Sequence, residues 1–420
     1  MNETIKKYID KDNFFFSFIV ISFIFLNIFY YWLFVSKYPD YLINGHELNI
    51  NTITHTYNDI ILNLLNKGKY YSNFVGIPVD FYSARLPFIP FFLVFLIIIF
   101  KNNFFLILLF KNLFLFSFLL FIAKKTLKKN IKILVFIILI FLIPYNLQNF
   151  LMFIPEEGYI NYFIASLFLL LFSDIKHKDK YVSFILFILF FIKGSLCFFL
   201  YTIAIYFFFY EKKKLPFIIL FACYLVWASY VFIKNERIIS PVSLVSIGGL
   251  TLIFSNNDKF NDIYPLQSPD DLSEYIFDKH GSQLLNFKNE VQVDEYFKEK
   301  NIDYIVNNKL SVINAILKKL YVVFFLLEKD GQTLNSQDFG KIRYSNIFNH
   351  LIVLIVFYII IKNIILIKKL KKNHVQFLIF FASYLFPFIV GFVYTRHLVP
   401  IFIVSIIFIL FEYFIYSKNK

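Results

Sequence analysis

Two cysteines in 420 residues, Cys197 and Cys223, both inside apolar runs, argue against a disulfide-stapled extracellular fold and say little about redox compartment. Charge is scarce too: only 17% of the residues are Asp, Glu, Lys or Arg. There is no glycine-rich nucleotide loop, no cluster with metal-ligand spacing and no internal repeat. No small-residue cleavage pattern follows the first apolar run, Asn13 to Val35. That run is too long for a signal-peptide core and reads as a first span.

What the chain has instead is apolar surface. Hydrophobic residues make up 59% and aromatics 22%, with a mean hydropathy of +0.66, well beyond a soluble domain. This composition defines a polytopic membrane protein. A net charge of +14 would suit a nucleic-acid partner, but the lysines fall in short clusters ("KKTLKK", "KHKDK", "EKKK", "KKLKK") between apolar runs. Such clusters read as cytoplasmic loop anchors, so no nucleic acid is expected.

A bilayer crossing needs about 20 apolar residues. The runs that qualify are Phe14–Val35, Phe104–Ala123, Ile133–Met152, Tyr159–Phe172, a pair within Tyr181–Tyr210 divided near Lys193–Gly194, Leu215–Ile233, Ile347–Leu366, Val375–Tyr394 and Leu398–Tyr416. The expected fold is therefore an all-α polytopic bundle with about ten crossings. Leu86–Phe100 is short and opens with two prolines. With the N-terminus inside, as Lys6, Lys7 and Lys11 suggest, and this run not crossing alone, every lysine cluster falls on the cytoplasmic side, which predicts a re-entrant or interfacial helix there or a second short crossing beside it. The expected domains are an N-terminal transmembrane module, residues 1–233, with an outer loop at 36–103; an extracytoplasmic segment, 234–346; and C-terminal transmembrane helices, 347–420. Within the middle segment, "DEYFKEKNIDYIVNN" reads as a soluble helix. "SVINAILKKLYVVFFLLEKDG" reads as an interfacial one whose Lys318 and Lys319 snorkel.

"YNDIILNLLNKGKYYSNFVGIPVDFYSARLPFIPFFLVF" opens with apolar positions at helical spacing ended by Gly68, a surface helix. The same stretch resembles the first outer loop of bacterial GT-C glycosyltransferases of the dolichyl-phosphate-mannose–protein mannosyltransferase type. The likeness continues in order through "IPEEGYINYFIASLFLLLF", "FIKGSLCFF", "SIGGLTLIFSNND" and "YTRHLVPIFIVSIIF". The resemblance implies a GT-C-like helical bundle in a bacterial inner membrane. It implies transfer of a sugar from a polyprenyl-phosphate donor to a glycan, lipid or protein acceptor on the extracytoplasmic face. In that family a key aspartate stands a few residues before the tyrosine, at the place held here by Ile53 with Thr54 beside it. Either the acid has moved or the chain does not catalyse by that route.

Such chemistry needs a carboxylate near the acceptor hydroxyl and cations on the leaving phosphate. The carboxylates that could serve are Asp59, the first choice, then Glu47, Glu156 and Glu157. The residues placed to bind substrate are Tyr57, Asp80, Arg85, Lys193, Arg396 and His397. Each has an ordinary reading as well. Asp59 could be solvated on a surface helix, Asp80 and Arg85 could pair with each other, and Glu156 and Glu157 could serve only the dipole of a helix start. Lys193 could simply belong to a hairpin turn. No nucleotide cofactor and no protein metal site is expected, while the use of a divalent cation stays open. Other classes also stay open: a polysaccharide polymerase or ligase with a diphosphate-linked donor; a non-enzymatic lipid or glycan transporter, for which Lys111, Lys193 and Lys362 would be the intramembrane charges; and a scaffold with no chemistry, in keeping with the missing acid near Ile53.

Overall fold

The computed structural model describes residues 3–52, 55–74, 77–126, 151, 156–236, 244–264, 269–325, 343–367, 371–391, 393 and 395–412. The expected span Ile133–Met152 lies almost wholly outside them. The chain is mostly helical. The first half gives α1 (Glu3–Lys37), α2 (His55–Lys67), α3 (Phe88–Phe100), α4 (Phe104–Thr126), α5 (Glu157–Leu171), α6 (Lys178–Phe190), α7 (Cys197–Phe209) and α8 (Leu215–Asn235). After it come α9 (Gly248–Ile253), α10 (Phe260–Ile263), α11 (Ser273–Leu284), α12 (Glu290–Asn307), α13 (Lys309–Phe325), α14 (Arg343–Ile367), α15 (Lys372–Val390) and α16 (Thr395–Leu410).

Among the described residues four helical stretches are long and apolar enough to cross a bilayer: Ser17–Ser36, Phe104–Thr126, Leu215–Asn235 and Lys372–Val390. Glu157–Leu171 and His397–Leu410 are apolar but shorter. Every residue of α5 is buried, the mark of a helix apolar on all sides and enclosed by others. It packs against α4, α6 and α16 at the centre of the bundle. The bundle surface exposes large apolar side chains such as Phe25 and Trp32 of α1, Ile98 of α3, Val226 of α8 and Ile365 of α14. Such a belt requires an apolar surrounding.

The segment between α1 and α4 carries two small hairpins. In β1 (Leu42–Ile43) and β2 (Glu47–Leu48), Leu42 pairs with Leu48 across a turn in which Asn44 and Gly45 both take positive φ, the conformation for which Asn-Gly is suited. β3 (Ser72–Phe74) and β4 (Ile77–Phe81) pair antiparallel, with Ile77, Val79 and Phe81 turned inward. Helix α2 buries Tyr57, Ile60 and Ile61. It stops at Gly68, whose φ of 63° lets its N–H reach Leu64 O at 3.1 Å, a left-handed C-terminal cap.

Helix α3 starts beside the α6–α7 turn, where Phe88 N–H bonds Phe191 O at 3.0 Å. At its other end Lys101 and Asn102, both with positive φ, turn the chain into α4, and Leu48 N–H bonds Asn102 O at 2.7 Å. At 13 residues α3 is shorter than the about 20 that a crossing needs.

Helices α11 and α12 pack against β4, and α13 against α14, α15 and α16. Lys318 and Lys319 of α13 do not reach out to a membrane surface as the sequence suggested. Lys319 is 1% exposed and donates to Ile389 O at 3.1 Å near the end of α15, while Lys318 donates to the carbonyls of Asn261 and Tyr264. A buried ammonium needs acceptors, and unsatisfied helix-end carbonyls supply them.

Candidate functional site

The central helix begins with adjacent carboxylates. Glu156 is the N-cap of α5, yet its side chain makes no cap bond. It turns instead to three other segments. Glu156 Oε1 accepts from Tyr57 OH at 2.8 Å and from Arg85 Nη1 at 3.1 Å, and Glu156 Oε2 lies 3.8 Å from Lys193 Nζ. Lys193 Nζ is also 2.5 Å from Glu157 Oε1, which in turn faces His397 Nε2 at 3.5 Å. Glu157 is 2% exposed.

Local structure aims each group. The Arg85 guanidinium lies over the Tyr57 ring at 5.3 Å, and Arg85 O accepts from Tyr70 OH at 2.6 Å. Lys193 sits in the break between α6 and α7, its Nζ 5.8 Å from the centre of the Phe388 ring. His397 stands at the start of α16, its ring 4.3 Å from that of Phe388, with its carbonyl accepting from Tyr384 OH at 3.0 Å. These aromatic faces favour the cations they meet.

Burial raises the Tyr57 phenol far above its ordinary value, and the Glu156 charge raises it further; it stays a hydrogen-bond donor. For Glu156 burial pushes the same way, but Lys193 and then Arg85 outweigh it, and the carboxyl is held below its usual range. Two carboxylates, a guanidinium and an ammonium thus form a hydrogen-bonded group with little net charge.

The group borders a cavity of about 350 Å³, lined by Arg85, Glu156, Lys193, Gly194, Ser195 and His397 and walled by Val245, Ile247, Leu250, Phe254 and Phe388. Beside it runs an apolar groove of about 650 Å³ between α3, α6 and α8, lined by Tyr70, Phe88, Phe91, Phe187, Phe191 and Trp227 among others. Two stretches of backbone serve both spaces. Arg85 and Leu86 border the polar cavity, and Pro87 and Phe88 the groove; Lys193 and Ile192 border the cavity, and Phe191 the groove.

Of the residues singled out in the sequence, Tyr57, Arg85, Glu156, Glu157, Lys193 and His397 come together here. Asp59 lines neither space; it is half-buried on α2, with its N–H on Asn58 Oδ1. Glu47 lies in the β1–β2 hairpin opposite Ile43. Asp80 accepts from Asn73 and Tyr82 on the exposed side of the β3–β4 hairpin, so Arg85 pairs with Glu156 and not with Asp80. Arg396 begins α16 next to His397, and its side chain lies outside the described residues, as do Ile53 and Thr54. Among the described residues no three His, Cys, Asp or Glu side chains converge as a metal site.

No family model, curated protein or solved structure matches this chain.

Sequence reasoning did not single out Tyr384, Phe388 or Glu290. Glu290 is a fully buried carboxylate that holds the wall of the cavity. The two aromatics lie on α15 at i and i+4, spacing that signals one helix face but not what the face meets.

Proposed function

We propose that this protein is a membrane glycosyltransferase of GT-C type that takes a sugar from a polyprenyl-phosphate donor and passes it to an acceptor hydroxyl on the extracytoplasmic face. The observation that carries the reading is the joint between the polar cavity and the apolar groove. An amphiphile with a long hydrocarbon tail and an anionic head needs an apolar channel ending at cations, and Pro87–Phe88 and Phe191 lead directly to Arg85 and Lys193.

In this reading the tail lies along α3 and α8, and the phosphate meets Arg85, whose planar fork suits phosphate oxygens, and Lys193. The acceptor oxygen attacks the anomeric carbon as the bond from that carbon to the phosphate oxygen breaks, and the polyprenyl phosphate leaves with the electron pair. The acceptor proton passes to a carboxylate. Glu156 takes this role as the carboxylate of the pair that borders the cavity, oriented by Tyr57 and Arg85, while Glu157 holds Lys193. The pair at the head of α5 thus stands in for the acid missing at Ile53. The bundle has about ten crossings in a bacterial inner membrane, with α3 interfacial.

The test is consumption of radiolabelled polyprenyl-phosphate sugars by membranes holding the wild type, Glu156→Gln or Lys193→Ala. The expected result is turnover by the wild type alone, with both variants folded and inserted. No turnover by the wild type across a broad panel of monophosphate donors overturns the reading in favour of diphosphate-linked donors or transport.

A further inference from the structure

Glu290 is the first residue of α12 and does not line the polar cavity, yet it is fully buried. Its Oε2 accepts from the backbone N–H of Ser83 at 3.0 Å and from Ser246 Oγ at 2.5 Å, and its Oε1 accepts from Asn235 Nδ2 at 2.7 Å. The end of α8, the loop after β4, the segment before α9 and the start of α12 all meet at this one side chain. Ser246 N–H also bonds Ser83 O at 3.1 Å, closing the ring. The helix start favours a carboxylate at this position, and Asn289 caps the helix separately by accepting from Gln292 N–H at 3.0 Å.

What this carboxylate holds decides its role. Ser83 stands two residues before Arg85, and Tyr70 OH fixes Arg85 O from the other side. Arg85 is therefore bracketed by two anchors, one on each side along the backbone. Ser246 lies between Val245 and Ile247, which line the same cavity. One turn along α12, Asp294 accepts from Gly249 N–H at 2.5 Å and so fastens α12 to α9 without touching the Arg85 loop.

We propose that Glu290 is a positioning residue that sets the reach of Arg85 into the polar cavity and locks the Val245–Ile247 wall against it. As a role in phosphate binding this rests on the transferase reading, whereas the control over Arg85 does not. All three partners donate to Glu290, so glutamine would turn an amide N–H₂ toward a donor and release one of them. The loop carrying Arg85 then loses an anchor while the size of the side chain is kept.

The experiment uses the full-length protein in lipid nanodiscs and follows phenylglyoxal modification of Arg85 by peptide mass mapping, which separates it from Arg237, Arg343 and Arg396. The wild type, Glu290→Gln, Ser246→Ala and Asp294→Asn are compared, with thermal unfolding in parallel. The expected result is Arg85 modification several-fold faster in Glu290→Gln, a smaller rise in Ser246→Ala, and the wild-type rate in Asp294→Asn even where its melting temperature falls. Equal rates in Glu290→Gln and wild type overturn the proposal, and so does an equal rise in Asp294→Asn, which would mark general loosening. Should Glu290→Gln fail to fold, Ser246→Ala against Asp294→Asn decides in the same way. With a polyprenyl-phosphate sugar as substrate, Glu290→Gln should raise KM for the donor more than it lowers kcat. Fast modification of Arg85 in Glu290→Gln, with no turnover by the wild type, would uphold the positioning role and sink the transferase reading alone.

Discussion

Lys193 Nζ stands 2.5 Å from Glu157 Oε1 and 3.8 Å from Glu156 Oε2, so one ammonium serves two carboxylates that are neighbours in sequence. Adjacent carboxylates would otherwise repel, and at the start of a central helix they have little water to screen them. The ammonium makes the doubly ionised pair tolerable, and Arg85 completes the balance on the far side of Glu156.

Replacing Lys193 by methionine should therefore destabilise the protein by about 3–5 kcal/mol, the usual cost of breaking a buried pair from one side. Adding Glu157→Gln to Lys193→Met should restore much of the loss, seen as a recovered melting temperature in a double-mutant cycle. A double variant no more stable than Lys193→Met would show that the pair contributes nothing beyond packing.

Tyr57→Phe removes one donor from Glu156 and leaves the ring under Arg85. A hydrogen bond to a charged group is worth about 1.5–3 kcal/mol, so turnover of the donor should fall roughly 10- to 100-fold by that conversion, with the protein still inserted. Initial rates in membranes matched for protein content measure it.

The pH dependence of Glu156 has a definite sign. Its carboxyl is held below the ordinary value of 4.5 because Lys193 and Arg85 outweigh the upward push of burial. A depressed acid contributes stability in full above its unfolded value, and that contribution is lost as pH falls through the lower folded value. The melting-temperature advantage of wild type over Glu156→Gln should be flat above about pH 5 and shrink below about pH 4.5. An advantage that grows on acidification would contradict the ion-pair assignment.

Gly249→Ala probes the roof of the cavity. A Cβ there would stand 2.3 Å from Asp294 O and 2.9 Å from Lys298 N, both backbone atoms, so α9 and α12 must separate. Overpacking of this kind costs about 1–3 kcal/mol. A melting temperature equal to wild type would mean that the two helices are not in close contact.

Val226→Glu places a charge in the apolar groove on a residue that is two-thirds exposed. Turnover of long-chain polyprenyl donors should drop at least tenfold, while a short-chain water-soluble analogue should be consumed at close to the wild-type rate. Equal losses with both donors would remove the groove from the reaction.

Much of this site was legible in the sequence, residue by residue, and its assembly was not. Tyr57, Arg85, Glu156, Glu157, Lys193 and His397 stand out as polar groups flanking apolar runs, a local property. That Tyr57 meets Glu156 across 99 positions is a tertiary fact with no periodic signature. Asp59 lies apart from this group, for a reason readable in helix geometry. A helix turns about 100° per residue, so Asp59 points roughly opposite to Tyr57, Ile60 and Ile61, which face the core. The α6–α7 break at Lys193 and the stop at Gly68 were readable because charge and glycine punctuate a helix locally. Glu290 was not, because its partners Ser83, Asn235 and Ser246 come from three separate segments.

The groove between α3, α6 and α8 opens sideways among Phe91, Phe95, Phe187 and Val226, all exposed on the apolar belt. Under the proposed function a donor entering there stays in the membrane, so its concentration is a mole fraction among lipids and not a molarity in water. Apparent affinity should then follow dilution by added lipid or detergent at fixed volume, and stay constant when buffer is added to the same micelles.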